Sequence, residues 1–283
     1  MDTEESPQSR RGERIVGAIG VLSMLSVTVI AALTGAWKPL QIGWVAFVAM
    51  VGGVVLALRT EKNQAGALVW GSGLASGAMI VSVGLFLLPD ALNHHLRFGG
   101  LGVASGVIVG FAGHAIGHRL SHIELPMDAT VAQLTAHTIA AGAIIGIVYG
   151  NMPELGPLLG VAIVSHKGPA GYAAADRLTR NGRSWLPILL PAAGVGVVAV
   201  LASMVTLPAS ARLNGLVFGF ATGVFLHVAM DFLPRCELGS EVHDALSVDG
   251  DAHAMLDRLR LHAVASTLLG GAVVVVLWWT VAP

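Results

Sequence analysis

His137-Thr-Ile-Ala-Ala-Gly142 and His166-Lys-Gly-Pro-Ala-Gly171 repeat a His-x-x-x-Ala-Gly pattern inside two long apolar stretches joined by Asn151-Met-Pro-Glu154. So short a connection makes the two helices antiparallel, and at about 1.5 Å per residue both histidines lie roughly 20 Å below it. Imidazole nitrogens are ligands for zinc and neighbouring divalent metals. A histidine inside a membrane span is costly and faces a partner or a wet cavity, so the pair predicts an intramembrane metal site. The competing reading is that backbone carbonyls at helix contacts satisfy each histidine. Pro169 adds to the metal reading. It removes a donor and clashes with the carbonyl four residues back, which predicts a kink that frees the Ser165 carbonyl as a further ligand.

The elements that must position these groups are membrane helices. Of 283 residues 54% are hydrophobic and 12% charged, and the mean hydropathy is +0.75, which excludes an ordinary soluble domain. The expected fold is all-α and polytopic, with nine spans at about 15–37, 41–58, 67–91, 98–118, 129–150, 155–176, 184–205, 213–234 and 260–281. Residues 1–14 read as a polar, disordered tail. The run from Ile15 is longer than a signal-peptide core and reads as an uncleaved anchor.

Arg10, Arg11, Arg14, Arg59, Lys62, Arg119, Arg177, Arg180, Arg183, Arg235, Arg258 and Arg260 fall on one side of this topology, and Lys38, Arg97 and Arg212 on the other. The positive-inside rule therefore predicts a cytoplasmic N-terminus, an external C-terminus and a cell-membrane location. Cys236, the one cysteine, lies in a predicted cytoplasmic loop and supports no internal disulfide. No basic, aromatic-rich stretch suggests nucleic acid, so the lipid bilayer is the expected large partner.

Within that frame the polar residues form a ladder. Asp90, His94 and His95 close the external end of the third span; His137, Ser165 and His166 occupy the middle; His227 and Asp231, one turn apart, approach the cytoplasm. His114, His118 and His122 make a stripe at i, i+4, i+8, either ligating or merely interfacial. The loop from Cys236 to Asp257 carries Glu237, Glu241, His243, Asp244, Asp249, Asp251 and His253. It reads equally as a metal collector or as a solvated acidic linker.

A second internal similarity links Gly73-Leu-Ala-Ser-Gly77 and Phe86-Leu-Leu-Pro89 in the third span to Gly219-Phe-Ala-Thr-Gly223 and Phe232-Leu-Pro234 in the eighth, the spacing differing by one residue. Five spans separate the copies, which inserts them in opposite orientations, as in inverted-repeat transporters.

These motifs resemble the ZIP family of divalent metal transporters across spans two to nine. His137 to Gly142 is similar to that family's His-Asn-x-x-Asp/Glu-Gly motif and His166 to Gly171 to its His-Lys/Gln/Glu-x-Pro-Glu-Gly motif. Leu88-Pro89-Asp90-Ala91 and Phe232-Leu-Pro234 are similar to its Leu-Pro-bearing helices, and Met79 stands where a methionine ligand is sometimes found. The resemblance implies residues 15–37 as an extra N-terminal helix and 38–283 as an eight-helix transporter domain in a 3+2+3 inverted repeat. It also implies zinc or another divalent metal carried inward between the motif helices; taken with the ladder and the freed carbonyl, the candidate ligands are His137, His166, Ser165, Thr138, Met79, Asp90, His227 and Asp231. A homodimer is the assembly to test.

The motif carboxylates are replaced by Ala141 and Ala170, the asparagine by Thr138, and a glutamate before the next helix's proline by Leu190. Losing a carboxylate about 4 Å from a cation forfeits on the order of 4 kcal/mol per unit-charge pair at an effective dielectric of roughly 20. Low-affinity import is therefore the expectation, and no enzymatic activity. The alternatives are a degenerate relative that no longer transports and serves as a sensor or partner subunit, and an intramembrane zinc hydrolase using Ser165.

Overall fold

The computed structural model describes residues 7–59, 65–120, 128–151, 166–208, 210–234 and 252–281. The protein is an all-α polytopic membrane protein, and no strand occurs among the described residues. Arg11–Thr34, Trp37–Arg59, Ala65–His94, Leu96–Gly113, Thr130–Asn151, Ala211–Asp231 and Met255–Thr280 are each long and apolar enough to cross a membrane, and Leu186–Ala202 is apolar but shorter. These answer eight of the nine stretches drawn from the sequence. Of the sixth, 155–176, the described residues show the C-terminal half, from His166. Helices dominate because hydrocarbon offers no partner for a backbone N–H or C=O, so each segment must satisfy its own.

The chain divides into two compact units. Unit 1 comprises 1–59, 119–157 and 170–206. It contains α1 (Pro7–Thr34), α2 (Trp37–Arg59), α6 (Ala129–Asn151), α7 (Lys167–Arg180) from Ala170 onward, and α8 (Leu189–Ala202) preceded by a 3-10 turn at Leu186–Ile188. Gly35, at φ +78°, ends α1: the N–H groups of Gly35 and Ala36 both return to the Ala31 carbonyl, a glycine-terminated helix end. Asp128 starts α6, its Oδ1 accepting from Thr130 N at 2.8 Å. The N-terminal helix is no loose appendage. Gly17 and Gly20 bring α1 onto the backbone of Leu186 and Leu189, and Met24, Val27 and Ala31 share one buried cluster with Leu40, Ala193 and Val200.

Unit 2 comprises 60–118, 158–169 and 207–283. It contains α3 (Ala65–Ser82), a π-helical turn at Val83–Leu87, α4 (Leu88–His94), α5 (Leu96–Leu120), the His166–Pro169 segment, α9 (Ala211–Asp231) and α10 (Ala252–Val281). The third span thus runs on through Pro89 to His94, three residues past the sequence boundary. His95 breaks it with an extended backbone, φ −166° and ψ 110°, and its Nδ1 then accepts from Phe98 N to start α5.

Glycines set the closest helix contacts. In unit 2, Gly73 and Gly77 lie on Ser266 and Thr267 of α10, while Gly219 and Gly223 lie on Gly99, Gly102, Val103 and Gly106 of α5. In unit 1, Gly142 lies on Val195 of α8, Gly171 on Met50 of α2, and Gly43 meets Gly196 where α2 crosses α8. Without a Cβ the backbones approach until dispersion and weak C–H contacts replace the missing hydrophobic drive.

Candidate metal site

The sequence-predicted ligands are distributed over both units. His137 and Thr138 belong to unit 1. Thr138 is fully buried; its hydroxyl donates to the Thr135 carbonyl at 3.0 Å and packs against Gly194 of α8. That hydroxyl hydrogen is committed to the helix, which leaves the oxygen lone pairs as its ligating capacity. One turn on, Ala141 is buried at 5% exposure, as is Ala170 at 8%. At both positions where the two histidine motifs would carry a carboxylate, the protein presents a methyl group.

His166 and Lys167 belong to unit 2, and both are buried, at 0% and 1% exposure. The His166 ring sits 4.9 Å from that of Phe232, tilted 56°. Pro169 packs on Gly71 of α3 and falls in the first turn of α7, where a missing N–H costs no helical bond. The Lys167 amine has no hydrogen-bond partner among the described residues. Ser165 and its carbonyl lie outside them, as do His122 and the loop from Cys236 to Asp251. His114 and His118 fall on the last turns of α5.

The ladder of the sequence separates into faces in unit 2. His94 lies flat on Phe218, centroids 5.2 Å apart and planes 14° from parallel. Phe218 therefore marks the stripe of α9 that meets α4. His227 is nine residues further, about half a turn around the helix. It faces α5 instead, against Gly110 and edge-on to Phe111, with its Nε2 3.4 Å from the Asp231 carboxylate. His227 and Asp231 thus continue the glycine stripe of Gly215, Gly219 and Gly223, one turn per step, and stand on a different face from His94. Met79 is buried in α3 at 1% exposure. Among the described residues no three His, Cys, Asp or Glu side chains group closely enough to hold a metal ion.

Two features escaped the sequence reading. Asn214 lies one turn before Phe218 on the α4-facing stripe, and its Oδ1 is buried without a hydrogen-bond partner among the described residues. Ser82, at the end of α3, has a fully buried Oγ in the same condition. Asparagine and serine in apolar runs are common packing residues, and only the π turn and the α4/α9 contact give these two their surroundings. The chain matches no protein-family model and no curated protein.

Proposed function

We propose that the protein is a ZIP-like carrier of divalent metal ions, importing zinc or a similar ion with low affinity and using His137 and His166 as ligands. One observation carries this reading most directly. The two histidine motifs end in Gly142 and Gly171, and each glycine seats its helix on a different partner, Gly142 on α8 and Gly171 on α2. Those partners are the seventh and second spans, which an inverted repeat would exchange. The same exchange relates the α3/α10 contact to the α9/α5 contact and returns the Gly43/Gly196 crossing to itself. Such pairing supports the arrangement that inverted-repeat transporters use to alternate access.

Weak binding suits conduction, because an ion that enters must also leave. In this reading the basic-residue asymmetry places the N-terminus in the cytoplasm of a cell whose plasma membrane holds the protein. Uptake by sealed proteoliposomes, metal by metal, is the test. Accumulation of zinc, cobalt or manganese above protein-free vesicles supports it, and vesicles no leakier than controls overturn it.

The buried methyl groups of Ala141 and Ala170 favour a second reading, a relative that has lost transport and acts as a sensor or partner subunit. Metal binding without flux in the same vesicles selects it. An intramembrane hydrolase has no supporting carboxylate at the motif positions, and turnover of amide or ester substrates is the outcome that would revive it.

A further inference from the structure

The contact between α4 and α9 holds two buried polar atoms that packing alone does not explain. His94 Nε2 and Asn214 Oδ1 each have less than 1 Å² of exposed surface and no hydrogen-bond partner among the described residues. Leaving such an atom buried and unsatisfied is costly, so a pair at one helix contact calls for a reason. Their placement is mutual. His94 stacks on Phe218, and helical side chains lean toward their own N-terminus, which brings the Phe218 ring over the turn that carries Asn214. The imidazole therefore meets the stripe of α9 that also carries Asn214. Asp90, one turn before His94 on α4, adds a carboxylate to the same end of the contact.

Both atoms bear lone pairs. An amide oxygen accepts only, and an imidazole with its proton on Nδ1 presents Nε2 as an acceptor. In that tautomer the two acceptors cannot satisfy each other, whereas a cation between them satisfies both. The neighbouring ring nitrogen does not compete: His95 is turned onto Phe98, its Nδ1 taken by the Phe98 N–H. One imidazole nitrogen, one amide oxygen and one carboxylate are a mixed nitrogen and oxygen set, suited to first-row divalent metals rather than to calcium or to copper(I).

We infer that His94 Nε2 and Asn214 Oδ1, with the Asp90 carboxylate, form a binding site for a divalent transition-metal ion at the α4/α9 contact, separate from the motif histidines. It lies within unit 2 and involves neither His137 nor His166. The site's existence does not depend on transport, although an importer would use it to gather ions at one end of the third span.

Cobalt(II) is the probe, because its visible absorption reports ligation. The full-length chain carrying His137→Ala and His166→Ala, purified in detergent and monodisperse, should still bind one cobalt. Adding His94→Gln should abolish that binding, and adding Asn214→Asp should tighten it about tenfold or more by supplying a full charge. A merely structural asparagine would give no such gain. Cobalt binding unchanged by His94→Gln, or affinity unchanged by Asn214→Asp, overturns the site. Should the double-alanine background not fold, the same two substitutions in the otherwise unaltered chain give the same comparison. His94-dependent binding in a chain that shows no uptake upholds the site and refutes transport. Uptake with binding indifferent to His94 does the reverse.

Discussion

Gly43 and Gly196 meet so closely that a Cβ built on Gly43 would run into the Gly196 Cα, while one built on Gly196 would press on the Met24 thioether and then on the Gly43 Cα. They fix the crossing of α2 and α8, where the Met24 side chain of α1 also packs against Gly196. Overpacking a tight contact costs about 1–3 kcal/mol. Gly43→Ala and Gly196→Ala should each lower the melting temperature of the purified protein, and the double mutant should lose less than the sum because both strain one contact. Unchanged melting in both single variants would mean that α2 and α8 do not cross there.

Asp128 combines two roles that substitution can separate. Its Oδ1 caps α6 at Thr130 N, and its Oδ2 meets Arg183 Nη1 at 2.8 Å, with the Arg183 side chain half exposed. An exposed ion pair contributes about 0–1 kcal/mol, an N-cap about 1 kcal/mol. Asp128→Asn, which keeps the cap, should therefore melt close to wild type, while Asp128→Ala should melt measurably lower. Equal losses in the two variants would show that the ion pair dominates.

The motif histidines should behave as one unit if they share an ion. His137→Ala and His166→Ala are each expected to remove most metal-dependent flux in proteoliposomes, with the double variant little worse than either. Small, additive losses would assign both to packing, in keeping with the contact of His166 on Phe232.

Restoring acids at the buried methyl positions gives a gain-of-function test. Ala141→Asp with Ala170→Glu places carboxylates four residues from His137 and His166 on their own helices, and zinc affinity measured by calorimetry should rise at least about tenfold. A folded double variant with wild-type affinity would show that these positions do not serve the histidines.

Orientation has its own readout in the single thiol. A membrane-impermeant maleimide should spare Cys236 in intact cells and label it after lysis. Labelling of intact cells would invert the proposed topology.

Hydropathy made the spans legible, and the matching spacing of Gly73, Gly77, Gly219 and Gly223 made the internal similarity legible, because both depend on residue type and period alone; the contacts those glycines make are seen only in the fold. Rotation about the helix axis was harder. His227 stands half a turn from Phe218, and a depth-based ladder cannot see that it faces α5 while His94 faces α9. Pro169 lies in the first turn of the helix that begins at Lys167, and the residues before His166, on which the expected kink turns, lie outside the described ones. Thr138 is legible in the sequence as a motif residue, while its packing against Gly194, some 56 residues away in sequence, is a tertiary contact that the motif does not carry.

The π turn at Val83–Leu87 explains a discrepancy of one residue. The third span spells Phe86-Leu-Leu-Pro89 where the eighth spells Phe232-Leu-Pro234, and a π turn holds one residue more than an α turn. It has the character of a healed insertion: the surplus residue is absorbed as a local widening, and everything beyond it is rotated by about 100°. The rotation decides which side of α4 carries Asp90 and His94. Gly84, with open space around it, is where a deletion would undo it, returning the third span to an uninterrupted helix and swinging His94 off Phe218. A single codon thus separates two versions of this helix, one that presents a histidine to α9 and one that turns it away.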